Sequence, residues 1–126
     1  MMLIDTDVLI WNLRGNQKAA DLLDRSAGFK ISAVTYMELI QGMRDKAELS
    51  VLRRSLKYWD AHVQPLDSEI SARAMFLMEA YCLSHGLQLA DALIAATTTS
   101  LGTTLLTAND KHYRMIDGLD LQVFRP

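Results

Sequence analysis

Two carboxylates interrupt the apolar N-terminal segment of the chain. Residues Met1 to Ile4 are apolar, Asp5 and Asp7 follow, and apolar residues resume at Val8. This pattern is typical of a buried strand that ends at acidic residues. Because an ionised carboxylate is costly to bury without a partner, Asp5 must reach a metal ion, a hydrogen-bond donor or water. We therefore expect Asp5 at the carboxyl end of a strand, where open α/β sheets bind their ligands.

Later segments place more acidic and amide side chains near the same predicted edge of a sheet. In a parallel sheet with right-handed crossovers, all junctions from strand to helix emerge at one edge. Asp5 can therefore meet side chains from three further segments in one pocket. These are Glu38, one helical turn after a predicted strand; Asp91, in the first turn of a helix; and Asn109 and Asp110, after another predicted strand.

The chemistry of such a pocket follows from its oxygen atoms. Carboxylates that lie close together repel one another, so the site favours a divalent cation with oxygen ligands, Mg²⁺ or Mn²⁺. No thiol or paired histidine belongs to the set, which argues against zinc. A divalent ion lowers the pKa of a bound water and stabilises charge on a phosphoryl oxygen, as phosphodiester hydrolysis requires. His112 lies close enough in sequence to contact a substrate.

Alternating strands and helices must position these side chains. The 126 residues fit one domain over residues 1–126, and 50% of them are hydrophobic. The sequence predicts an α/β fold with a mostly parallel sheet flanked by helices. Predicted strands cover residues 1–4, 29–32, 63–66, 103–107 and 121–124, with 63–66 at an edge because of its proline. Predicted helices cover residues 8–13, 18–25, 34–43, 45–60, 68–85 and 86–96.

Two of these helices carry apolar residues that bear on the site and on assembly. In the helix over residues 34–43, Val34, Met37 and Ile40 form one apolar stripe. The helix over residues 68–85 carries methionines and aromatics that we interpret as core or as a self-association face.

Composition excludes several classes of protein. No apolar run approaches the roughly 20 residues of a membrane span, and the N-terminal segment lacks the positive region of a secretory signal. A single cysteine, Cys82, cannot form an internal disulfide, so a cytoplasmic location is the default expectation. The net charge of −2 gives no overall electrostatic attraction for nucleic acid, so any phosphate-binding surface must be a local patch.

At four places the sequence resembles the ordered motifs of PIN-domain ribonucleases, and by size it is most similar to the VapC toxins of toxin-antitoxin pairs. The resemblance covers nearly the whole chain. The ordered set is far more specific than any single motif. The matching segments are Leu3-Ile4-Asp5-Thr6-Asp7-Val8, Ser32 to Gly42 around Glu38, Ala90-Asp91-Ala92-Leu93-Ile94, and Leu106-Thr107-Ala108-Asn109-Asp110-Lys111-His112-Tyr113.

The resemblance implies a metal-dependent endoribonuclease that uses Mg²⁺ or Mn²⁺ to activate water. Asp5, Glu38 and Asp91 match the metal-binding and catalytic acids. Thr6 matches a hydroxyl residue that orients the first acid, and Thr107 one that introduces the last motif. Asn109 occupies the fourth catalytic position, where an amide carries no charge, and Asp110 follows it.

The same resemblance implies partners and a substrate. Its members commonly cut structured RNA, form homodimers and are silenced by a cognate antitoxin protein. RNA binding would need local positive charge. Candidate phosphate contacts are Arg14, Arg44, Lys46, Lys111 and Arg114.

Two other functions are compatible with parts of the sequence. In a haloacid-dehalogenase-type phosphatase, Asp5 would be the nucleophile and Asp7 the general acid. That alternative gives Glu38 no role, and the chain lacks a convincing lysine and closing acidic pair. A non-catalytic α/β domain that binds a cation or a partner through the acidic pocket is the third possibility.

Overall fold

Five parallel strands form the centre of the computed structural model, which describes all residues 1–126. The strands lie in the order β3-β2-β1-β4-β5, and every neighbouring pair is parallel. The predicted α/β class and parallel sheet are confirmed, including the edge position of β3. The strands are β1 (Met2–Ile4), β2 (Lys30–Ser32), β3 (His62–Gln64), β4 (Thr104–Thr107) and β5 (Leu121–Val123).

Six helices connect and cover these strands, and side chains cap most of their N-termini. Asp5, Asn16, Ser32, Asp45 and Asp67 each accept a hydrogen bond from a backbone N–H of the first turn. The helices are α1 (Thr6–Leu13), α2 (Gln17–Arg25), α3 (Ala33–Gln41), α4 (Lys46–Tyr58), α5 (Ser68–His85) and α6 (Leu89–Ser100), and a 3₁₀ turn covers Asp110–His112.

The sheet separates two hydrophobic cores because successive strand residues face opposite sides. Ile4 and Leu106 pack on one face with the apolar residues of α1, α2 and α4. Leu3 and Leu105 pack on the other face with α5 and α6. Buried on both faces, β1 and β4 are the middle of the molecule and the most firmly positioned strands.

The connections place a topological switch point between β1 and β4. The helices between β1 and β3 cover one face of the sheet, and the helices between β3 and β4 cover the other. In open α/β sheets the crevice at such a point, outside the carboxyl ends of the strands, is the usual ligand site. Asp5 follows β1 directly and Thr107 ends β4, so both stand at this crevice.

The predicted stripe on α3 is partly wrong. Val34 is buried, but the Met37 side chain is 55% exposed. The helix buries Thr35 and Leu39 instead. Thr35 can face inward because its hydroxyl lies 2.9 Å from the hydroxyl of Thr6, so its polar atom has a partner.

The long helix α5 leaves large apolar side chains in solvent. Met75, Phe76 and Leu83 are 64%, 66% and 99% exposed, so they are not core residues. Met78 and Tyr81 of the same helix pack against the core, so the core interpretation holds for part of α5. No helix of the chain is both long and apolar enough to cross a membrane.

Candidate active site

Asp5 follows β1 directly and contacts the end of the neighbouring strand β4. As the N-cap of α1, its Oδ1 accepts a hydrogen bond of 2.8 Å from the Thr6 N–H. Its Oδ2 accepts one of 2.9 Å from the Thr107 hydroxyl at the end of β4. The residue is only 6% exposed. Asp5 is therefore a fixed, buried carboxylate at the switch point, where the sequence places it.

Asp7 ties the first turn of α1 to the loop after β4. Its Oδ2 accepts a hydrogen bond of 3.1 Å from the Ala108 N–H and lies 3.3 Å from the Thr107 hydroxyl. Its Oδ1 is buried and is the one such side-chain atom in the chain that lacks a hydrogen-bond partner. A buried, unpartnered carboxylate oxygen needs a proton donor or a cation.

Burial and mutual repulsion make these two carboxylates costly to ionise. Burial, followed by the charge of Asp7, raises the pKa of Asp5 to about 7, despite the hydrogen bond from Thr107 that opposes the shift. Burial is also the main cause that raises the pKa of Asp7, and the charge of Asp91 adds to it. Close carboxylates with raised pKa values are characteristic of functional sites.

Glu38 approaches the site from α3 and is held by Thr6. The Thr6 hydroxyl lies 2.8 Å from Glu38 Oε1. The resemblance assigns this hydroxyl to the first acid, but in the structure only the backbone N–H of Thr6 contacts Asp5. Glu38 is itself solvent-exposed. Thr6 therefore connects two of the candidate acids through different atoms.

Asp91 is held by two side chains from the segment after β4. The Tyr113 hydroxyl donates to Asp91 Oδ1 at 3.1 Å, and His112 Nδ1 lies 3.2 Å from Asp91 Oδ2. Tyr113 is fully buried. Burial, and then the charges of Asp5 and Asp91, raise the pKa of Tyr113, so its phenol keeps its proton and remains a donor.

Asn109 and Asp110 differ in their relation to the acids. The Asn109 side-chain nitrogen Nδ2 lies 3.0 Å from His112 Nε2, which links Asn109 to Asp91 through the imidazole. Asp110 instead accepts a hydrogen bond of 3.3 Å from Arg125 Nη2, on the side of the C-terminal segment. Of the two, Asn109 therefore belongs to the hydrogen-bonded network of the site.

The donor chemistry of these residues fits a hard divalent cation. The candidate ligands are carboxylate oxygens, as Mg²⁺ and Mn²⁺ prefer, and the unpartnered Oδ1 of Asp7 lies among them. In their present orientations, no three acidic, histidine or cysteine side chains form a group that could hold a metal ion. Thr6, Tyr113 and His112 hold Glu38 and Asp91 in those orientations.

Residues 2–119 match the family model described as the PIN domain. The chain belongs to the PIN-domain family. The PIN-domain match covers far more than half of the chain and all four sequence motifs. Membership of this family also argues against the phosphatase alternative.

Two curated relatives of this PIN domain come from Mycobacterium tuberculosis (strain ATCC 25618 / H37Rv). Ribonuclease VapC10 is 38% identical over 123 residues, which cover 94% of this chain and 90% of the relative. Ribonuclease VapC19 is 34% identical over 125 residues, which cover 94% and 97%.

Solved structures share the fold. A toxin-antitoxin complex from Klebsiella pneumoniae contains a chain with a TM-score of 0.79 and 27% identity, which covers 94% of this chain and 95% of that one. DNA-bound VapBC from Salmonella typhimurium contains one with a TM-score of 0.83 and 20% identity, which covers 97% and 96%. At 20% identity the second likeness concerns the fold alone.

Sequence reasoning missed some contacts in this PIN domain. Neither the buried Tyr113 phenol nor the Thr35 hydroxyl carries a sequence signal, because each gains its role by packing against a distant segment. Among the phosphate candidates, Arg44 pairs with Glu48 at 3.0 Å. The other four, all exposed, are Arg14, Lys46, Lys111 and Arg114.

Proposed function

We propose that this chain is an endoribonuclease of the VapC type that hydrolyses RNA phosphodiester bonds. The observation that carries the proposal is the buried Asp5 and the half-buried Asp7, which both contact Thr107 across the switch point. Glu38 and Asp91 approach the same crevice. Two relatives with 38% and 34% identity that are named ribonucleases support this activity.

We assign the cation to Asp5, Glu38 and Asp91, with Asn109 as the uncharged fourth residue. Mg²⁺ or Mn²⁺ bound there would supply an activated water and stabilise charge on the phosphoryl oxygens. The chain's own residues fix the acids: Thr107 and the Thr6 N–H hold Asp5, the Thr6 hydroxyl holds Glu38, and Tyr113 holds Asp91. Glu38 and Asp91 either keep their hydrogen bonds when the cation binds or exchange a hydrogen bond for it. The exchange costs little free energy, because the partners lost are single hydroxyl and imidazole groups.

The test is cleavage of labelled total RNA by the purified protein in Mn²⁺, with and without a chelator. We expect discrete cleavage products only when the metal is present, and none from Asp5→Ala. Binding of RNA without cleavage by a well-folded wild type would favour the non-catalytic alternative. Turnover of a small phosphomonoester in place of RNA would favour the phosphatase.

We propose a cognate antitoxin as the protein partner. The Klebsiella pneumoniae neighbour is part of a toxin-antitoxin complex. In this chain, a groove of about 580 Å³ between α1, α3 and α4 is lined by apolar residues such as Ile10, Leu39 and Met43, and it reaches Glu38. An amphipathic segment bound there would cover one edge of the acidic site.

Growth arrest on expression, relieved by coexpression of a small protein from the neighbouring gene, tests the toxin assignment. Relief should be lost when Ile10→Glu places a charge in the groove. An unchanged relief by the neighbouring product would locate its binding elsewhere.

We further propose a homodimer and a cytoplasmic location. Met75, Phe76 and Leu83 of α5 and Leu89 of α6 are exposed apolar side chains that a second copy could bury. The lone Cys82 forms no disulfide, as expected of a reducing compartment. Sedimentation of wild type and Phe76→Glu distinguishes a dimer through these side chains from a monomer.

A further inference from the structure

A second concave surface shares no residue with the groove between α1, α3 and α4. It is a cavity of about 270 Å³ between α2 and the C-terminal segment. Three of its lining side chains are basic, two are apolar and one is acidic. We refer to it as the basic groove, and its residues are Lys18, Asp21, Leu22, Arg25, Phe124 and Arg125.

The basic groove adjoins the candidate active site through the C-terminal segment. The Phe124 N–H donates a hydrogen bond of 2.8 Å to the Thr107 carbonyl oxygen, and Thr107 also contacts Asp5. Arg125 Nη2 lies 3.3 Å from Asp110 Oδ1, next to Asn109. One end of the groove therefore touches the loop that carries the fourth residue of the site.

The charges of the groove favour an anion. Lys18 and Arg25 are exposed, and neither takes part in an ion pair. The Arg125 side chain is 69% exposed despite its contact with Asp110. The one acidic lining residue, Asp21, already accepts a hydrogen bond of 2.8 Å from Gln17. Arginine and lysine with free donors are the usual ligands of phosphate groups.

We propose that the basic groove binds the sugar-phosphate backbone of the RNA strand as it passes out of the active site. The proposal rests on the proposed ribonuclease function and adds a substrate subsite to it. Seven residues separate Lys18 from Arg25 along α2, a rise of about 10 Å. Both side chains line the basic groove at this separation, so they can contact separate phosphates of one strand. Arg125 lines the groove and also contacts Asp110, next to Asn109 of the site.

Binding is measured in the Asp5→Asn background, which keeps the RNA intact. A short fluorescent single-stranded RNA is titrated with Asp5→Asn, with Asp5→Asn carrying Lys18→Ala and Arg25→Ala, and with Asp5→Asn carrying Arg53→Ala and Arg54→Ala. The last pair is the matched control, because both arginines are exposed on α4 and line no part of the groove. Chelator is present throughout, and the salt concentration is varied.

We expect the groove variant to bind RNA on the order of tenfold more weakly at low salt, and the control variant to bind like its parent. The slope of log affinity against log salt should become shallower by about 1.4 in the groove variant, because two phosphate contacts on a single strand are lost. The proposal is overturned if the groove variant keeps the affinity and slope of its parent, or if the control loses as much. The proposal is equally overturned if the groove variant binds RNA like its parent and loses only the binding of the antitoxin.

Failure of the subsite and failure of the ribonuclease proposal give different results. A wild type that cleaves RNA in Mn²⁺ together with a Lys18→Ala, Arg25→Ala variant that cleaves with the same KM removes the subsite and keeps the nuclease. A wild type that never cleaves removes the nuclease. A raised KM with little change in kcat in the groove variant is the result that supports both.

Discussion

The acids of the site fall into two regions that are held in different ways. The inner region, Asp5 and Asp7, lies at the switch point, where backbone N–H groups of Thr6 and Ala108 and the Thr107 hydroxyl fix the carboxylates. The outer region consists of Glu38 and Asp91. Both are held only by side chains, and they come from helices on opposite sides of the crevice.

This difference indicates a division of roles. The inner carboxylates are desolvated and repel each other, so it is unfavourable for both to be ionised in the folded protein. A bound cation would relieve this repulsion. The outer carboxylates can change partners without disturbing the sheet. We infer that Asp5 of the inner region determines cation affinity, and that Glu38 and Asp91 complete the ligand set when substrate and metal are present.

The largest expected effect is the loss of cleavage in Asp5→Asn. The substitution keeps the shape of the side chain but removes the charge that is fixed most firmly at the switch point. The rate of RNA cleavage in Mn²⁺ should fall by at least about a hundredfold, because losing a metal ligand costs more activity than losing a side chain that only positions a ligand. Asp117→Asn is the matched control, because Asp117 is exposed and only its backbone forms a hydrogen bond, to Tyr81, so it should cleave like wild type.

The second prediction concerns stability without metal. The raised pKa means that folded Asp5 binds a proton more tightly than the unfolded chain, whose carboxyl has a pKa of 3.8. The stability from this proton is present below about pH 4 and is lost as the pH rises through about 7.

Asp5→Asn has no carboxyl proton to lose, so its stability does not fall in this way as the pH rises. At pH 8 in chelator, its free energy of unfolding should exceed that of wild type by at least about 1.4 kcal/mol, the equivalent of one pKa unit. Urea unfolding at pH 5 and pH 8 measures the difference. Equal pH profiles for the two proteins would contradict the claim that the inner region is destabilised by its charge.

The third prediction tests the link between the two central strands. Thr107→Val keeps the shape of the side chain but removes the hydroxyl that donates to the buried Asp5 and accepts from the Asn109 N–H. Asp7 keeps its bond from the Ala108 N–H. We expect a loss of about 1 kcal/mol or more in the free energy of unfolding, because the buried Asp5 acceptor is left unsatisfied. Thr107→Ser should recover most of the loss, and a failure of serine to rescue would point to the missing methyl group instead.

The smallest effect is expected in the outer region, for Tyr113→Phe. Loss of the phenol frees Asp91 from one of its two partners while the ring remains buried. We expect kcat to fall roughly tenfold and the free energy of unfolding to change by no more than about 1 kcal/mol. The result would contradict this expectation if the loss in free energy of unfolding exceeded the free-energy equivalent of the fall in kcat. The outer region would then be as rigid as the inner one.

The sequence predicts the position of Asp5 better than the contacts of the outer region. Asp5 is predictable because an apolar strand that ends at a carboxylate places it by chain connectivity alone. The contacts of Glu38 and Asp91 are not, because Thr6 is 32 residues from Glu38 and Tyr113 is 22 residues from Asp91. Such pairings depend on how helices rotate on the sheet, which apolar periodicity does not fix.

Helix α3 shows the limit of that periodicity. The pattern of apolar residues favours a buried Met37, whereas the helix turns Thr35 inward because the Thr6 hydroxyl meets it. Asp7 shows the opposite case. The sequence gives it no role outside the phosphatase alternative, and its contact with the Ala108 N–H appears only once β1 and β4 are neighbours.

Titration calorimetry with Mn²⁺ near pH 7 tests most directly the claim that the switch-point acids form one cation site. Because Asp5 with a pKa of about 7 is partly protonated there, binding should release a proton. We expect the enthalpy of Mn²⁺ binding to wild type to vary with the ionisation enthalpy of the buffer. We expect no measurable Mn²⁺ binding to Asp5→Asn. Equal Mn²⁺ binding by wild type and Asp5→Asn would contradict that claim.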